Sequence, residues 1–178
     1  MKGGYDILPN IMLVGAEQEL SQTGKEHRLK EAIAPVAEKY DYIIIDCPPA
    51  FSLASISAIA ASTDIVIPLK PGGFEIDGMA ELTRQVESVR RVSPSVRIAG
   101  VLLTMWYNDP DIIGVEDWLR KNSGQRVFNS HIRLSRPVDK SVLGGEPICQ
   151  WSPTSGAARD YRAWVREYLG GVDDGETA

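Results

Sequence analysis

The sequence predicts an α/β protein built on a mostly parallel sheet with helices on both faces. Three observations lead there. Apolar runs without alternation, at Ile43–Ile45, Ile65–Leu69 and Ile98–Met105, read as strands buried on both faces. Segments with helical spacing separate these runs, and strand–helix alternation of this kind builds parallel sheets through right-handed crossovers. Gly, Pro and Ser mark the joins, and no internal repeat or low-complexity linker interrupts the pattern.

With 178 residues and ordinary globular composition, the chain is read as one domain over 1–170 and a mobile acidic tail over 171–178. The formal net charge of −5 excludes a protein coated in basic surface, while leaving room for a local basic patch. No apolar run has the length of a membrane span and no signal-peptide layout opens the chain, so a cytoplasmic protein without a membrane role is expected. The two cysteines, Cys47 and Cys149, and the two histidines, His27 and His131, are isolated in sequence. That spacing argues against zinc or Cys/His catalysis and for reduced thiols, with Cys47 packed at a strand end.

The elements follow in order. Tyr5–Pro9 reads as a short strand and Leu13–Leu20 as a short helix. Lys25–Lys39 is a helix with Leu29, Ile33, Val36 and Ala37 on its apolar face and Pro35 as a point of kinking or breakage. Tyr42–Asp46 is the central buried strand, closed by Pro48-Pro49. Phe51–Ala61 is a small-residue helix, and Ile65–Leu69 the next strand. A long helix runs from an Asp77 cap to Arg91, and Ile98–Met105 is a strand. Asp111–Lys121 is a helix with Ile112, Val115 and Leu119 inward. Val127–Phe128 opens a further strand towards Ile132. Arg133–Pro137 is a basic loop, and Asp139–Leu143 one helical turn. The last helix spans about Ser155–Leu169, with Ala158, Tyr161, Val165 and Leu169 inward.

Asp46 is the residue with most chemical promise. An acid at the carboxyl end of a central parallel strand sits where open α/β sheets bind ligands. It can hold Mg²⁺ through water beside a nucleotide phosphate, the task of a Walker B aspartate; the plainer reading is a turn-favouring Asp that ends a strand. Trp106 and Tyr107 are open to two readings, base stacking or packing. Trp118, Trp151 and Trp164 read as packing residues. Arg90, Arg91, Arg133 and Arg136 are the candidate DNA contacts, against the reading of each as a solvated surface charge.

Taken together, several stretches resemble the ParA/Soj-type partition ATPases, relatives of MinD in the deviant Walker A group. They are Asp6–Asn10, Gly15–Leu20, Arg28–Ala32, Tyr40–Pro49, Gly100–Met105, Gly145–Pro147 and Ala157–Tyr161. The resemblance runs from about Tyr5 to Leu169 and implies a three-layer P-loop NTPase-like fold. It implies ATP and Mg²⁺ as cofactors, dimerisation, non-specific DNA binding at the nucleoid, and a ParB-like partner in plasmid or chromosome partitioning. By position, Asp46 matches the Walker B acid, Pro48 and Pro49 begin the switch-like loop, and Thr104 and Met105 lie near the base.

The departures from the family pattern are specific. No Gly-Lys-Ser or Gly-Lys-Thr occurs; the one Gly-Lys pair, Gly24-Lys25, precedes Glu26. The family's first strand, P-loop and first helix have no counterpart, so the expected fold is N-terminally truncated, with unpaired strand edges and exposed apolar surface. Ile132-Arg133 stands where many relatives have Ile-Pro. The expectation is a chain without autonomous ATP hydrolysis. The alternative is a non-catalytic DNA-binding, ParB-binding or dimerisation module that pairs with itself or with an intact relative.

Overall fold

The computed structural model describes Asp6, residues 27–47 and 52–71, Arg84, Glu87, Arg90 and residues 93–170. Apart from Asp6, the readings for Tyr5–Pro9, Leu13–Leu20, Pro48, Pro49, Arg91 and the tail 171–178, and most of the helix from Asp77, lie outside the described residues. The chain divides into two compact units, Met1–Thr63 with Val86–Val96 and Asp64–Gln85 with Arg97–Ala178.

Among its described residues the first unit has two helices that touch each other, α1 (Arg28–Ala37) and α2 (Leu53–Ala61). Helix α1 continues through Pro35. Its apolar face of Leu29, Ile33, Val36 and Ala37 is half-buried, as the spacing predicts. Helix α2 begins where the Ser52 hydroxyl accepts from the Ser55 amide at 3.3 Å, satisfying one of the unpaired N–H groups of its first turn. Its run of Ser, Ala and Ile is buried at Ser55, Ser57, Ala58, Ile59 and Ala60. Small side chains allow such close seating.

Between these helices the structure corrects a central expectation. Residues 42–47 form no strand, and Ile44 is 92% and Tyr42 63% exposed. A parallel strand persists when neighbours satisfy its backbone on each edge and cover both faces. Among the described residues nothing pairs with this run, so the apolar sequence stands open. Cys47 is likewise exposed and not packed at a strand end.

The second unit holds the sheet. Strands β1 (Asp64–Leu69) and β2 (Arg97–Leu103) are parallel, with Asp64 opposite Arg97 and Leu69 opposite Leu103 and an irregularity between Ile65 and Val66. Along the other edge of β2, residues 126–134 run parallel through bridges Val101–Val127 and Trp106–Arg133. The Val101 amide donates to Arg126 O at 2.8 Å, Phe128 N to Val101 O at 3.0 Å, and Ile132 N to Leu103 O at 2.8 Å. This is the further strand expected from Val127 towards Ile132, present as an irregular edge.

Alternate residues then fill two cores. Ile67, Leu69, Val101, Leu103 and Val127 pack with Leu119 and Val115 of α3 (Pro110–Asn122). Leu102, Phe128 and Ile132 pack with Tyr161, Trp164 and Tyr168 of α6 (Gly156–Tyr168). Strand β2 is therefore covered on both faces, which explains why its sequence does not alternate. Gly100 makes the second core possible, because a Cβ there would lie 2.9 Å from the Phe128 ring.

The remaining helices are α4 (Arg136–Leu143) and the single turn α5 (Ile148–Trp151). Helix α4 starts earlier than the predicted Asp139, since Pro137 in its first turn has no N–H to leave unsatisfied. The inner face of α6 also differs from the predicted one. Ala157, Ala158, Tyr161, Trp164 and Tyr168 face the core, while Val165 is 43% and Leu169 55% exposed. Trp118 and Trp151 are half-exposed and only Trp164 among these three packs in a described core.

Candidate functional site

In the first unit the candidate acid is Asp46. Its segment leaves α1 past Tyr40, whose hydroxyl bonds to the Asp6 carboxylate. That hydrogen bond, with some burial and the Asp6 charge, raises the Tyr40 pKa. Asp46 follows half-buried Ile45 and is itself exposed. Its charge acts on its neighbour: partial burial of the sulfur, then the Asp46 carboxylate, push the Cys47 thiol up. Among the described residues no group of three His, Cys, Asp or Glu side chains is assembled for a metal. Mg²⁺ beside a nucleotide commonly takes one or two carboxylates, with phosphate and water completing its shell. A single open carboxylate such as Asp46 fits that demand.

Arg90 belongs to this unit too. It pairs with Glu87 one turn earlier, and its Nε reaches Val96 O at 3.4 Å. Its charge is thus partly engaged within the protein.

In the second unit, the carboxyl ends of the parallel strands lead to Thr104 and Met105. The Thr104 amide extends the ladder, donating to Leu69 O at 2.8 Å. Met105 then adopts φ 53°, a conformation rare for a side-chain-bearing residue, and is half-exposed. The reversal lets Trp106 rejoin the edge segment, its amide donating to Ile132 O at 3.0 Å. The Trp106 ring stacks on His131 at 3.9 Å between centroids, and its indole N–H donates to Glu116 at 3.1 Å. One ring face is therefore occupied by protein, which favours packing over base stacking; Tyr107 remains half-exposed.

Arg133 and Arg136 lie close in sequence but differ in employment. Arg133 forms a two-pronged pair with Asp160, Nε–Oδ2 2.7 Å and Nη2–Oδ1 2.8 Å, and its amide also donates to Oδ2 at 3.1 Å. Burial pushes the Asp160 carboxyl up, but the Arg133 bonds and charge, with His131, bring it below its ordinary value. The same pairing raises Arg133. Arg136 opens α4, is exposed, and meets no carboxylate among the described residues.

The sequence reading missed the polar braces of this unit. Arg120 binds Glu116 at 2.7 Å and donates to Val127 O at 3.0 Å and Phe128 O at 2.8 Å, fixing the edge segment. Glu167 accepts from the Asn129 and Ser130 amides, each at 2.8 Å. The i,i+4 spacing of Glu116 and Arg120 signals their pairing; the partners of Asp160 and Glu167 have no local signal. A hollow of about 390 Å³ is lined by Cys149, Tyr161, Arg162, Val165 and Arg166, none of them a residue singled out as a site from sequence.

The sequence model of a family described as an AAA domain matches residues 2–98. The chain is 35% identical to the sporulation initiation inhibitor protein Soj of Bacillus subtilis over 166 residues, 91% of this chain and 66% of that one. It is 33% identical to the chromosome partitioning protein ParA of Myxococcus xanthus over 164 residues, 88% of this chain and 56% of the relative. The chain spans about half to two thirds of the length of the curated relatives it matches. In fold it resembles an ATP complex of Cyanothece McdA, with TM-score 0.74 and 23% identity over 92% of this chain and 65% of the other. It also resembles cobyrinic acid a,c-diamide synthase of Mycobacterium smegmatis with an ATP analogue and magnesium, with TM-score 0.72 and 24% identity over 91% and 62%. The α/β architecture is that of these P-loop NTPase folds. With the family model matching more than half of its length and Soj at 35% identity, the chain belongs to the ParA/Soj family of partitioning ATPases.

Proposed function

We propose that this chain carries the magnesium-side half of a ParA-type partition ATPase, with Asp46 as the Walker B acid, and that alone it does not hydrolyse ATP. One observation supports this above others. Within the stretch matched by the family model, Asp46 ends an apolar run with its carboxylate open to solvent. ATP and Mg²⁺ are the cofactors in this reading. Asp46 would hold the cation through water; bound Mg²⁺ would offset phosphate charge. By the family resemblance alone, Thr104 and Met105 are assigned to the base and Pro48 and Pro49 to the switch-like loop. The 178 residues contain no Gly-Lys-Ser/Thr, the loop that grips the triphosphate, which is why turnover is not expected.

The working form in this reading is a cytoplasmic, nucleoid-associated dimer that meets non-specific DNA and a ParB-like protein in plasmid or chromosome partitioning. Arg90, Arg91, Arg133 and Arg136 are the proposed phosphate contacts. Arg136 is expected to contribute most of the three described, since Arg133 is bound to Asp160 and Arg90 to Glu87. A second reading, a non-catalytic module that pairs with another chain, is favoured by the open Tyr42–Ile44 run.

The test uses purified chain with ATP and Mn²⁺ as a paramagnetic stand-in for Mg²⁺. Nucleotide-dependent broadening of the amides at 45–47, lost in Asp46→Asn, is expected, with no phosphate release. Steady ATP turnover by the chain alone, or broadening that survives Asp46→Asn, would defeat the proposal.

A further inference from the structure

Helix α6 separates its charges by face. Its two acids are spent internally: Asp160 on Arg133, Glu167 on the Asn129 and Ser130 amides and on Arg126. Its arginines Arg159, Arg162 and Arg166 recur at i, i+3 and i+7, an arc of roughly 60° at ~100° per residue. All three are exposed. Arg162 donates to the carbonyl of Pro153 at 2.6 Å, a neutral partner. Arg159 and Arg166 meet no carboxylate among the described residues.

Beside this stripe lies the hollow of about 390 Å³. Cys149, Tyr161 and Val165 line it together with Arg162 and Arg166 of the stripe. A hollow lined by apolar side chains and by two arginines of an exposed cationic stripe suits a ligand that is anionic along its length and apolar at one point.

We propose that this face of α6 docks an acidic peptide segment, with one aliphatic side chain in the hollow and flanking carboxylates on Arg159, Arg162 and Arg166. A peptide is favoured over nucleic acid because phosphates need cations and polar donors but no apolar lining. It is favoured over a lipid surface because the apolar part is a hollow sized for one or two side chains. The charge of the whole chain, −5, adds direction. The stripe offers an acidic segment local attraction that the net-negative chain as a whole does not, so charge sets its register.

The probe is a short fluorescein-labelled peptide of aspartates and glutamates with a central leucine, titrated against the full chain by anisotropy. Parallel titrations use the same peptide with serine for leucine, labelled duplex DNA and anionic vesicles. The leucine peptide should bind, and the serine peptide should bind about tenfold more weakly, as for loss of a central anchor. Arg162→Gln/Arg166→Gln and, separately, Val165→Glu should each weaken the leucine peptide about tenfold with unchanged melting. If the double variant melts early, Arg166→Glu alone repeats the measurement. Equal binding of both peptides, no binding of the leucine peptide, or a double variant that loses DNA or vesicles but retains the peptide would overturn the proposal.

Discussion

Arg133 and Asp160 meet in a two-pronged ion pair across 27 residues of sequence, joining the edge of the sheet to the second turn of α6. Gly156 permits it, for a Cβ at that position would stand 2.7 Å from Arg133 Nε. The guanidinium crosses the start of α6 to reach its partner. A residue that reads as a free surface cation from sequence is thus a structural clamp.

Removing that clamp should cost stability. Asp160 is largely buried and accepts from both the side chain and the amide of Arg133. Asp160→Ala is expected to destabilise the protein by about 1.5–3 kcal/mol, the range for hydrogen bonds to a charged group. Gly156→Ala should displace Arg133 and reproduce part of this loss. Urea titrations of the two variants check both, and equal stability of Asp160→Ala and the parent would contradict the assignment.

The pH dependence follows from Asp160 and Glu167. Both carboxyls lie below their ordinary values: burial raises each, and hydrogen bonds, backbone amides and nearby arginines outweigh it. Their folded forms therefore hold protons less tightly than the unfolded chain. The stabilisation is complete above the ordinary carboxylate range, at about pH 4, and is lost as pH falls through the lowered folded values. Melting temperature should drop steeply on acidification below about pH 4. Asp160→Asn/Glu167→Gln should flatten that drop.

Glu167 makes a local prediction as well. Its carboxylate holds the Asn129 and Ser130 amides, so Glu167→Ala should speed hydrogen exchange at those two positions. Exchange at Val101 and Leu103, deep in β2, should change far less. Uniform acceleration across the unit would instead indicate a global loss of stability.

Two apolar residues separate the two ways such runs are used. Leu103 is fully buried between β1 and α3, and Leu103→Ala should cost about 2–5 kcal/mol. Ile44 is nearly fully exposed, and Ile44→Ala should change stability by no more than about 0.5 kcal/mol. Thermal melts of the two variants decide this; a large loss at Ile44 would mean that this run is covered in solution.

These residues also show where the sequence could be read. Helix α3 was legible because Ile112, Val115 and Leu119 recur on one face; the Asp109 cap, which accepts from the Asp111 amide at 2.9 Å, and the opening Pro110 are local signals that the loop reading of those two residues passed over. Strand β2 was legible because an apolar run flanked by breakers lies buried on both faces. Arg133 was not, since its partner Asp160 is set by the packing of α6. The inner face of α6 was misread because its apolar residues allow two overlapping stripes, and the ring cluster of Phe128, Trp164 and Tyr168 selects one.

The sequence by itself determined the α/β class and the strands read at Ile65–Leu69 and Ile98–Met105, which the structure pairs in parallel, with the helices that flank them. Those rest on breakers and periodicities that act within a few residues. Tertiary structure decided which apolar run is paired and which stands open, and which arginines are bound and which face solvent. Strand pairing and charge neutralisation need a partner brought from elsewhere in the chain, and the run Ile43–Ile45 carries no mark of whether that partner arrives.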